Sequence, residues 1–256
     1  MTATALTAGI EGVGLWIAQA PSWAAYRALL AGTTPAAETA TRPAPALLPP
    51  NERRRAPDTV LVALEAAQAA CADAGRDPAT LPSVFVSTYG DLAITEHLCQ
   101  TLATAPRELS PTRFHNSVHN AAAGYWTIAC GAATPATALS AEFAMGLLEA
   151  MAQLATGAPA VLLVGYDGSA PALLRQVAPT DGLLGGALVL GPPAPGRPRL
   201  TLSLDDGEAP PPSTTVAAGN AMAPMLPLFE ALARGAPAVV LPAGPGRVLR
   251  VELAHG

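Results

Sequence analysis

The chain has 256 residues, of which 50% are hydrophobic and only 13% are charged. Such a composition argues against disorder, because disordered chains are polar and rich in charge, and it allows a sizeable buried core. The 14 basic and 19 acidic residues give a formal net charge of −5, which disfavours nucleic acid as the main partner. No apolar run reaches the roughly 18 residues that a membrane span requires.

The cysteines and the N-terminal segment indicate the compartment. Cys71, Cys99 and Cys130 are widely spaced and form no CxxC pair, so neither a disulfide framework nor a metal site is predicted. A secretion signal needs a basic start and an uninterrupted apolar stretch, but no Lys or Arg precedes Ala18 and Glu11 interrupts the stretch. We therefore expect a cytoplasmic protein without a cofactor.

Glycine and proline punctuate the first half of the chain into short elements. A proline-rich surface loop separates the first strand and helix from the rest. The predicted elements are a glycine-interrupted strand or strand pair at 4–17, a helix at 23–30, the loop at 33–50, a helix at 58–74, a strand at 81–87 and a helix at 92–103.

The second half continues the alternation of strands and helices, which predicts a layered α/β fold. It begins with a predicted loop from Pro111, of sequence SPTRFHNSVHN. The elements predicted after it are an Ala-rich helix at 119–130, a strand at 136–139, a helix at 143–155, strands at 160–164, 183–190 and 199–204, a helix at 222–233, and a hairpin of 238–241 with 247–253.

Two histidines in this segment are the first candidate site. His115 and His119 stand four residues apart, a spacing that on one helix face would resemble a zinc-binding HExxH motif. However, no Glu follows the first histidine and no third ligand lies close in the sequence. We therefore expect polar packing, and the alternative is that both histidines line a pocket together with Asn116 and Asn120.

The second candidate is Ser140, where a short strand runs almost directly into a helix. A strand-to-helix elbow presents its residue at a helix N-terminus, whose dipole favours an anion and activates a nucleophile. Ser140 has no base beside it in the sequence and lacks the glycines of a G-x-S-x-G motif. An N-cap for the following helix is therefore the favoured interpretation, and the alternative is the nucleophile of an acyltransferase or thioesterase that works with His115 or His119.

Several segments occur in the order found in one enzyme family. They are Asn120-Ala121-Ala122-Ala123-Gly124, the elbow from Thr137 to Ala144, and the helix end, turn and strand from Leu154 to Gly165. Together these segments resemble the N-terminal half of the β-ketoacyl synthases, which have the thiolase-like fold. Ile10–Trp16 and Leu48–Arg55 are similar to the ketoacyl-synthase-like proteins of aryl polyene and xanthomonadin gene clusters, above all to the chain length factor subunit.

The resemblance covers residues 4–192. It implies a thiolase-like layered fold (α/β/α) in which the N-terminal half, residues 1–192, is intact. The C-terminal half is truncated, and residues 193–256 would pack on the first half in a single compact domain.

The departures from the family are as informative as the match. The position of the catalytic cysteine falls on Ser140, or on Ala141 with a shift of one residue. The family's two catalytic histidines lie in the C-terminal half, but here His255 is the only histidine beyond His119. Decarboxylative condensation needs a thiolate and imidazole donors, so the resemblance implies a chain with no catalytic residue.

The resemblance also implies partners and sites. A chain length factor forms a heterodimer with a catalytic β-ketoacyl synthase of type II fatty acid or polyketide biosynthesis, to which an acyl carrier protein delivers the growing chain. In the family the strand before the elbow pairs across a two-fold axis, which implies an interface at Ala136, Thr137, Ala138 and Leu139. A homodimeric scaffold that binds acyl carrier protein is a further alternative.

Bulky residues near that interface are candidates for the wall of the acyl tunnel. Core packing is the favoured interpretation of each residue taken alone. The candidates are Phe114, Tyr125, Trp126, Phe143 and Met145.

Overall fold

The computed structural model describes residues 6–33, 42–211 and 216–256. Within these ranges strands and helices alternate along the first two thirds of the chain, and strands dominate the last third. The strands are β1 (Leu6–Ile17), β2 (Ser83–Ser87), β3 (Ala136–Ser140), β4 (Val161–Asp167), β5 (Leu184–Gly191), β6 (Arg199–Asp206), β7 (Ala238–Pro242) and β8 (Arg247–Ala254).

The helices occupy the segments between the strands. Half of them begin after a capping residue or at a proline. They are α1 (Trp23–Leu30), α2 (Pro50–Arg55), α3 (Asp58–Ala74), α4 (Leu92–Thr104), α5 (Pro111–Asn116), α6 (Ala121–Cys130), α7 (Phe143–Ala155) and α8 (Leu226–Arg234).

The described strands form one sheet in the order β3-β2-β4-β5-β1-β6-β8-β7. β2 pairs parallel with both β3 and β4, whereas every other pair in the sheet is antiparallel. The central strands β4 and β5 are buried along their whole length, and their apolar sequences suit a sheet that is covered on both faces. β3 and β7 are the two edges.

Helices cover both faces of the sheet and form two separate cores. Because side chains of a strand alternate between its faces, Val84 and Val86 join the core under α7 and α8, whereas Phe85 joins the core under α3 and α6. α3 lies so close to β1 that a Cβ added at Gly14 would be 2.0 Å from the Ala66 carbonyl oxygen. The predicted three-layer α/β/α fold is therefore confirmed.

The structure differs from the predictions mainly around residue 111. The segment predicted as a loop contains α5, because the Ser110 hydroxyl accepts a hydrogen bond from the Arg113 amide and Pro111 suits the first helical turn. α6 consequently begins at Ala121 rather than at His119. In the predicted loop at 33–50, residues 34–41 lie outside the described ranges.

None of the described helices is both long enough and apolar enough to cross a membrane.

Candidate functional site

Ser140 is the last residue of the edge strand β3 and is exposed. Its hydroxyl donates a hydrogen bond to the Thr88 carbonyl oxygen at 3.1 Å, and the Ala141 amide donates to the Ser87 carbonyl oxygen at 3.3 Å. The N-cap of α7 is Glu142, whose side chain makes no capping bond. The predicted N-cap role of Ser140 is therefore wrong, because two further residues separate it from the first turn of α7.

The two histidines lie on different elements. His115 is an exposed residue of α5, which ends at Asn116, whereas His119 follows that helix and its Nε2 lies 2.9 Å from the Leu139 carbonyl oxygen. Neither histidine makes a hydrogen bond to Ser140 among the described residues. The described part of the chain also holds no group of three His, Cys, Asp or Glu residues that could bind a metal ion.

A buried carboxylate, which the sequence analysis missed, organises the loop beside Ser140. Asp167 ends β4 and accepts hydrogen bonds from the Ser87 hydroxyl at 2.6 Å and from the Thr88 and Tyr89 amides at 2.9 and 3.3 Å. Burial raises the pKa of Asp167, and these hydrogen bonds oppose the increase. Asp167 thus fixes the loop whose Thr88 carbonyl receives the Ser140 hydroxyl.

Three of the predicted pocket and tunnel residues line one groove between α5 and α6. His115, Asn116 and Tyr125 line this groove, which has a volume of about 690 Å³ and is otherwise mainly apolar. Asn116 is buried, and its Oδ1 has no hydrogen-bond partner among the described residues. The groove also contains Ile128, an exposed residue of α6.

The other tunnel candidates divide into core and surface residues. Trp126 packs against Phe85 with ring centroids 6.3 Å apart, and Phe143 packs against Phe229 at 6.2 Å. Both candidates are fully buried, which supports core packing rather than a place in a tunnel wall. Phe114, Asn120 and Met145 are exposed.

The predicted interface residues form the open edge of the sheet. Every residue of β3 from Ala136 to Ser140 is at least partly exposed. Because Ser83 donates to the Pro135 carbonyl oxygen and Ala141 donates to Ser87, the parallel ladder leaves the N–H and C=O groups of Ala136, Ala138 and Ser140 turned away from β2. These groups are available to another strand.

Large apolar side chains are exposed in both helical layers beside this edge. On the α6 side, Ile128 is 81% exposed and Phe114 is 58% exposed. On the other side, α7 contacts β3 through a hydrogen bond of 3.2 Å from Gln153 Nε2 to the Thr137 hydroxyl, and Met145 of this helix is 36% exposed. The open strand therefore lies between α6 and α7, each of which exposes a large apolar side chain.

Two cysteines are held as neutral thiols. Burial raises the pKa of Cys71 to about 12, and burial also raises the pKa of Cys130, whose Sγ donates to the Trp126 carbonyl oxygen at 3.0 Å. Nucleophilic attack requires the thiolate, which both environments disfavour.

Solved structures with the same fold include complexes of ketosynthases. One chain of the complex between the ketosynthase ApeO and its chain length factor ApeC from Xenorhabdus doucetiae has a TM-score of 0.74 and 24% identity, and the match covers 96% of this chain and 99% of that one. The ishigamide ketosynthase/chain length factor has a TM-score of 0.76 and 16% identity, with coverages of 98% and 100%.

A third structure contains a carrier protein. It is AntDE:AntF, a type II acyl-carrier protein in complex with its ketosynthase bound to the hexaketide, with a TM-score of 0.75, 10% identity, and coverage of 99% of this chain and 100% of that chain. At these identities the likeness shows the fold alone. None of the curated proteins matches the chain.

The family model described as "Beta-ketoacyl synthase, N-terminal domain" matches residues 23–243, which is most of the sequence. The chain therefore belongs to the β-ketoacyl synthase N-terminal domain family.

Proposed function

We propose that this chain is a non-catalytic partner of a catalytic β-ketoacyl synthase, similar to a chain length factor, and that it works in the cytoplasm. The pathway would be type II fatty acid or polyketide biosynthesis, such as that of aryl polyenes. The observation that carries the proposal is the open strand β3, which ends at Ser140. The family resemblance puts the nucleophile position of the catalytic members at Ser140 or Ala141.

The open edge supports a stable pairing with a second subunit. The outward N–H and C=O groups of Ala136 and Ala138 can extend the sheet into a partner, as an exposed edge strand does in strand addition. Ile128 and Met145 would be buried on either side of that junction, and apolar residues of this kind are typical of interface cores.

The chemistry around Ser140 supports a partner that does not itself condense acyl units. A hydroxyl without a base is a weak nucleophile, and the Ser140 hydroxyl is engaged by the Thr88 carbonyl oxygen. The His119 Nε2 instead lies near the Leu139 carbonyl oxygen. His255 follows β8, which lies near the opposite edge of the sheet from β3. No imidazole of the described residues therefore supports attack by Ser140.

The similar structures agree with this proposal. Two of them combine a ketosynthase with a chain length factor, and the third combines a ketosynthase with an acyl-carrier protein. By analogy, the carrier protein would deliver acyl groups to the synthase subunit. The apolar groove with His115, Asn116 and Tyr125 would then contribute to the wall of the acyl tunnel, since it continues to Ile128 beside the open edge.

Co-expression with a catalytic β-ketoacyl synthase tests the proposal. We expect a stable 1:1 complex on size-exclusion chromatography, and a poorly soluble or weakly stable chain when the synthase is omitted. A well-folded homodimer that binds acyl carrier protein and ignores the synthase would contradict the heterodimer and favour a homodimeric scaffold.

Intact-mass measurement tests the alternative of an acyltransferase or thioesterase. After incubation with acyl thioesters, we expect no acyl adduct on Ser140, and we expect the complex with Ser140→Ala to retain its turnover. An adduct that disappears in Ser140→Ala would instead establish Ser140 as a nucleophile.

A further inference from the structure

A second cavity, of about 1100 Å³, lies on the α3 side of the sheet. It opens where β1 ends and β5 begins, and the N-termini of α3 and α4 and one side of α5 border it. We call it the α3 cavity. It is a site distinct from the open edge of β3, so the inference drawn from it does not rest on the proposed function.

The guanidinium groups of two arginines in the wall of the α3 cavity make no ion pair or hydrogen bond with the described residues. Arg55 comes from α2 and Arg113 from α5, and both side chains are exposed. By contrast, Arg54 on the same helix as Arg55 donates a hydrogen bond to Asn51. The two free guanidinium groups can donate paired hydrogen bonds to an anion, a geometry that suits phosphate.

The two carboxylates in the same wall already accept hydrogen bonds from other residues of the chain. Asp58 pairs with Arg42 at 2.6 Å. Asp91 accepts the Thr59 hydroxyl at 2.7 Å and caps α4 through the Ile94 amide at 2.8 Å. Asp91 has no cationic partner among the described residues, so the two guanidinium groups face one unpaired carboxylate and the net charge offered to a ligand is positive.

The N-terminus of α3 adds backbone donors. This helix has 17 residues, and its N-cap is Pro57, which provides no side-chain hydrogen bond to the first turn. The first amides of a helix have no partner inside the helix, and the helix dipole places partial positive charge there, which together favour an anion.

Asn116 is an independent sign that a ligand is expected. It is only 5% exposed, it lies in the wall of the α3 cavity as well as in that of the α5–α6 groove, and its Oδ1 has no partner among the described residues. Leaving a buried amide oxygen unpaired is costly. A carboxamide can rotate to exchange its oxygen and its NH2 group, so it can meet either the anion or a polar group attached to it.

We propose that the α3 cavity binds an organic phosphate. The phosphate group would lie between Arg55, Arg113 and the first turn of α3, within reach of the Asn116 amide. The organic part would contact the apolar side chains of Ile94 and Leu183, which line the same cavity.

Calorimetric titration with three small probes tests this site in the full chain or in its complex with a synthase. Phenyl phosphate has both a phosphate anion and an apolar ring. Inorganic phosphate has only the anion, and phenol has only the ring. We expect phenyl phosphate to bind most tightly, inorganic phosphate more weakly and phenol weakest. Because charged hydrogen bonds dominate, Arg55→Ala and Arg113→Ala should each weaken phenyl phosphate binding about tenfold.

Arg54→Ala is the matched control, since Arg54 is a neighbouring arginine outside the cavity wall, and it should leave the affinity unchanged. Asn116→Asp places a negative charge beside the phosphate and should weaken phenyl phosphate binding without affecting phenol, provided circular dichroism shows a native fold. The proposal is overturned if neither phosphate binds saturably at millimolar concentration, or if Arg54→Ala weakens binding as much as Arg55→Ala does.

Discussion

The two edges of the sheet, β3 and β7, are both five residues long but are built in opposite ways. Pro242 ends β7 at a position that faces outward, and Pro210 and Pro211 line a cavity together with its Val239, whereas the prolines that precede the two strands, Pro135 and Pro237, are alike. β3 has no proline, and its outward residues Ala136, Ala138 and Ser140 all keep their N–H groups.

The difference shows which edge is protected from pairing and which is left open. Proline at an edge removes a hydrogen-bond donor and blocks the approach of another strand. An unprotected edge between apolar surfaces is an aggregation hazard unless a partner covers it. We infer that β7 is a terminated edge and that β3 is the side from which the sheet continues into a second subunit.

The largest expected effect comes from proline in the open edge. Ala138→Pro removes an outward N–H without breaking the ladder to β2, and should weaken the complex with the synthase by about 100-fold, because the junction loses a hydrogen bond and leaves a partner carbonyl unpaired. Val240→Pro is the matched control on β7, since the alternation set by the bond from Leu253 to Pro237 also turns its N–H outward.

Biolayer interferometry on purified subunits measures both affinities. Val240→Pro should bind the synthase as the unaltered chain does. If Ala138→Pro and Val240→Pro lose affinity for the synthase equally, β3 is not the edge that binds it.

A smaller effect is expected from the apolar surface beside β3. Ile128→Asp places a charge on a residue that is 81% exposed in the free chain and should weaken the complex about tenfold, because the charge must be desolvated at the interface. Leu204→Asp on β6 is a control among the exposed apolar residues away from β3. The same interferometry measures both variants, and a greater loss from Leu204→Asp would locate the partner elsewhere.

Replacing Asp167 should change the stability of the fold and have the smallest effect on affinity for the synthase, because Asp167 supports the end of β3 only through the loop at Ser87–Tyr89. Because burial raises the pKa of Asp167 in the folded chain, its contribution to stability is present below the ordinary value of 3.8 and is lost as the pH rises through the folded-state pKa. Asp167→Asn removes this pH dependence. At acidic pH it should cost about 1–3 kcal/mol, since an NH2 group would face the Thr88 amide.

Urea unfolding between pH 4 and pH 8 measures the change. Asp205→Asn on β6, where the Asp205 side chain is 46% exposed, is the control and should keep the pH dependence of the unaltered chain. Glu65, whose pKa burial also raises, should leave a residual slope of the same sign in Asp167→Asn. An unchanged slope in Asp167→Asn would contradict this account of Asp167.

Local sequence patterns predicted α7 with its observed bounds, because its apolar residues recur at helical spacing and Gly157 ends it. They failed for α5, a six-residue helix too short to show periodicity, although Ser110 and Pro111 carry a helix-start signal. The order of strands depends on pairings between distant residues, so the edge position of β3 was predicted only through the family resemblance.

In the candidate site too, the sequence predicted the local features but not those that depend on contacts between distant residues. Ser140 was located from the elbow pattern, but its bond to Thr88 depends on a loop 52 residues away in the chain. Asp167 was missed because a single acidic residue at the end of an apolar strand is also typical of a turn. Residue type alone did not separate the buried Trp126 from the exposed Phe114, since the sequence does not reveal which helix face meets the sheet.

The central claim is that this chain contributes a surface for assembly while another subunit performs the chemistry. The most direct measurement is acyl chain elongation by the heterodimer after the synthase's own nucleophilic cysteine is replaced by alanine. We predict that this complex forms normally and makes no elongated product, whereas the complex with Ser140→Ala and an intact synthase remains active. Elongation by the complex that lacks the synthase cysteine would contradict the claim.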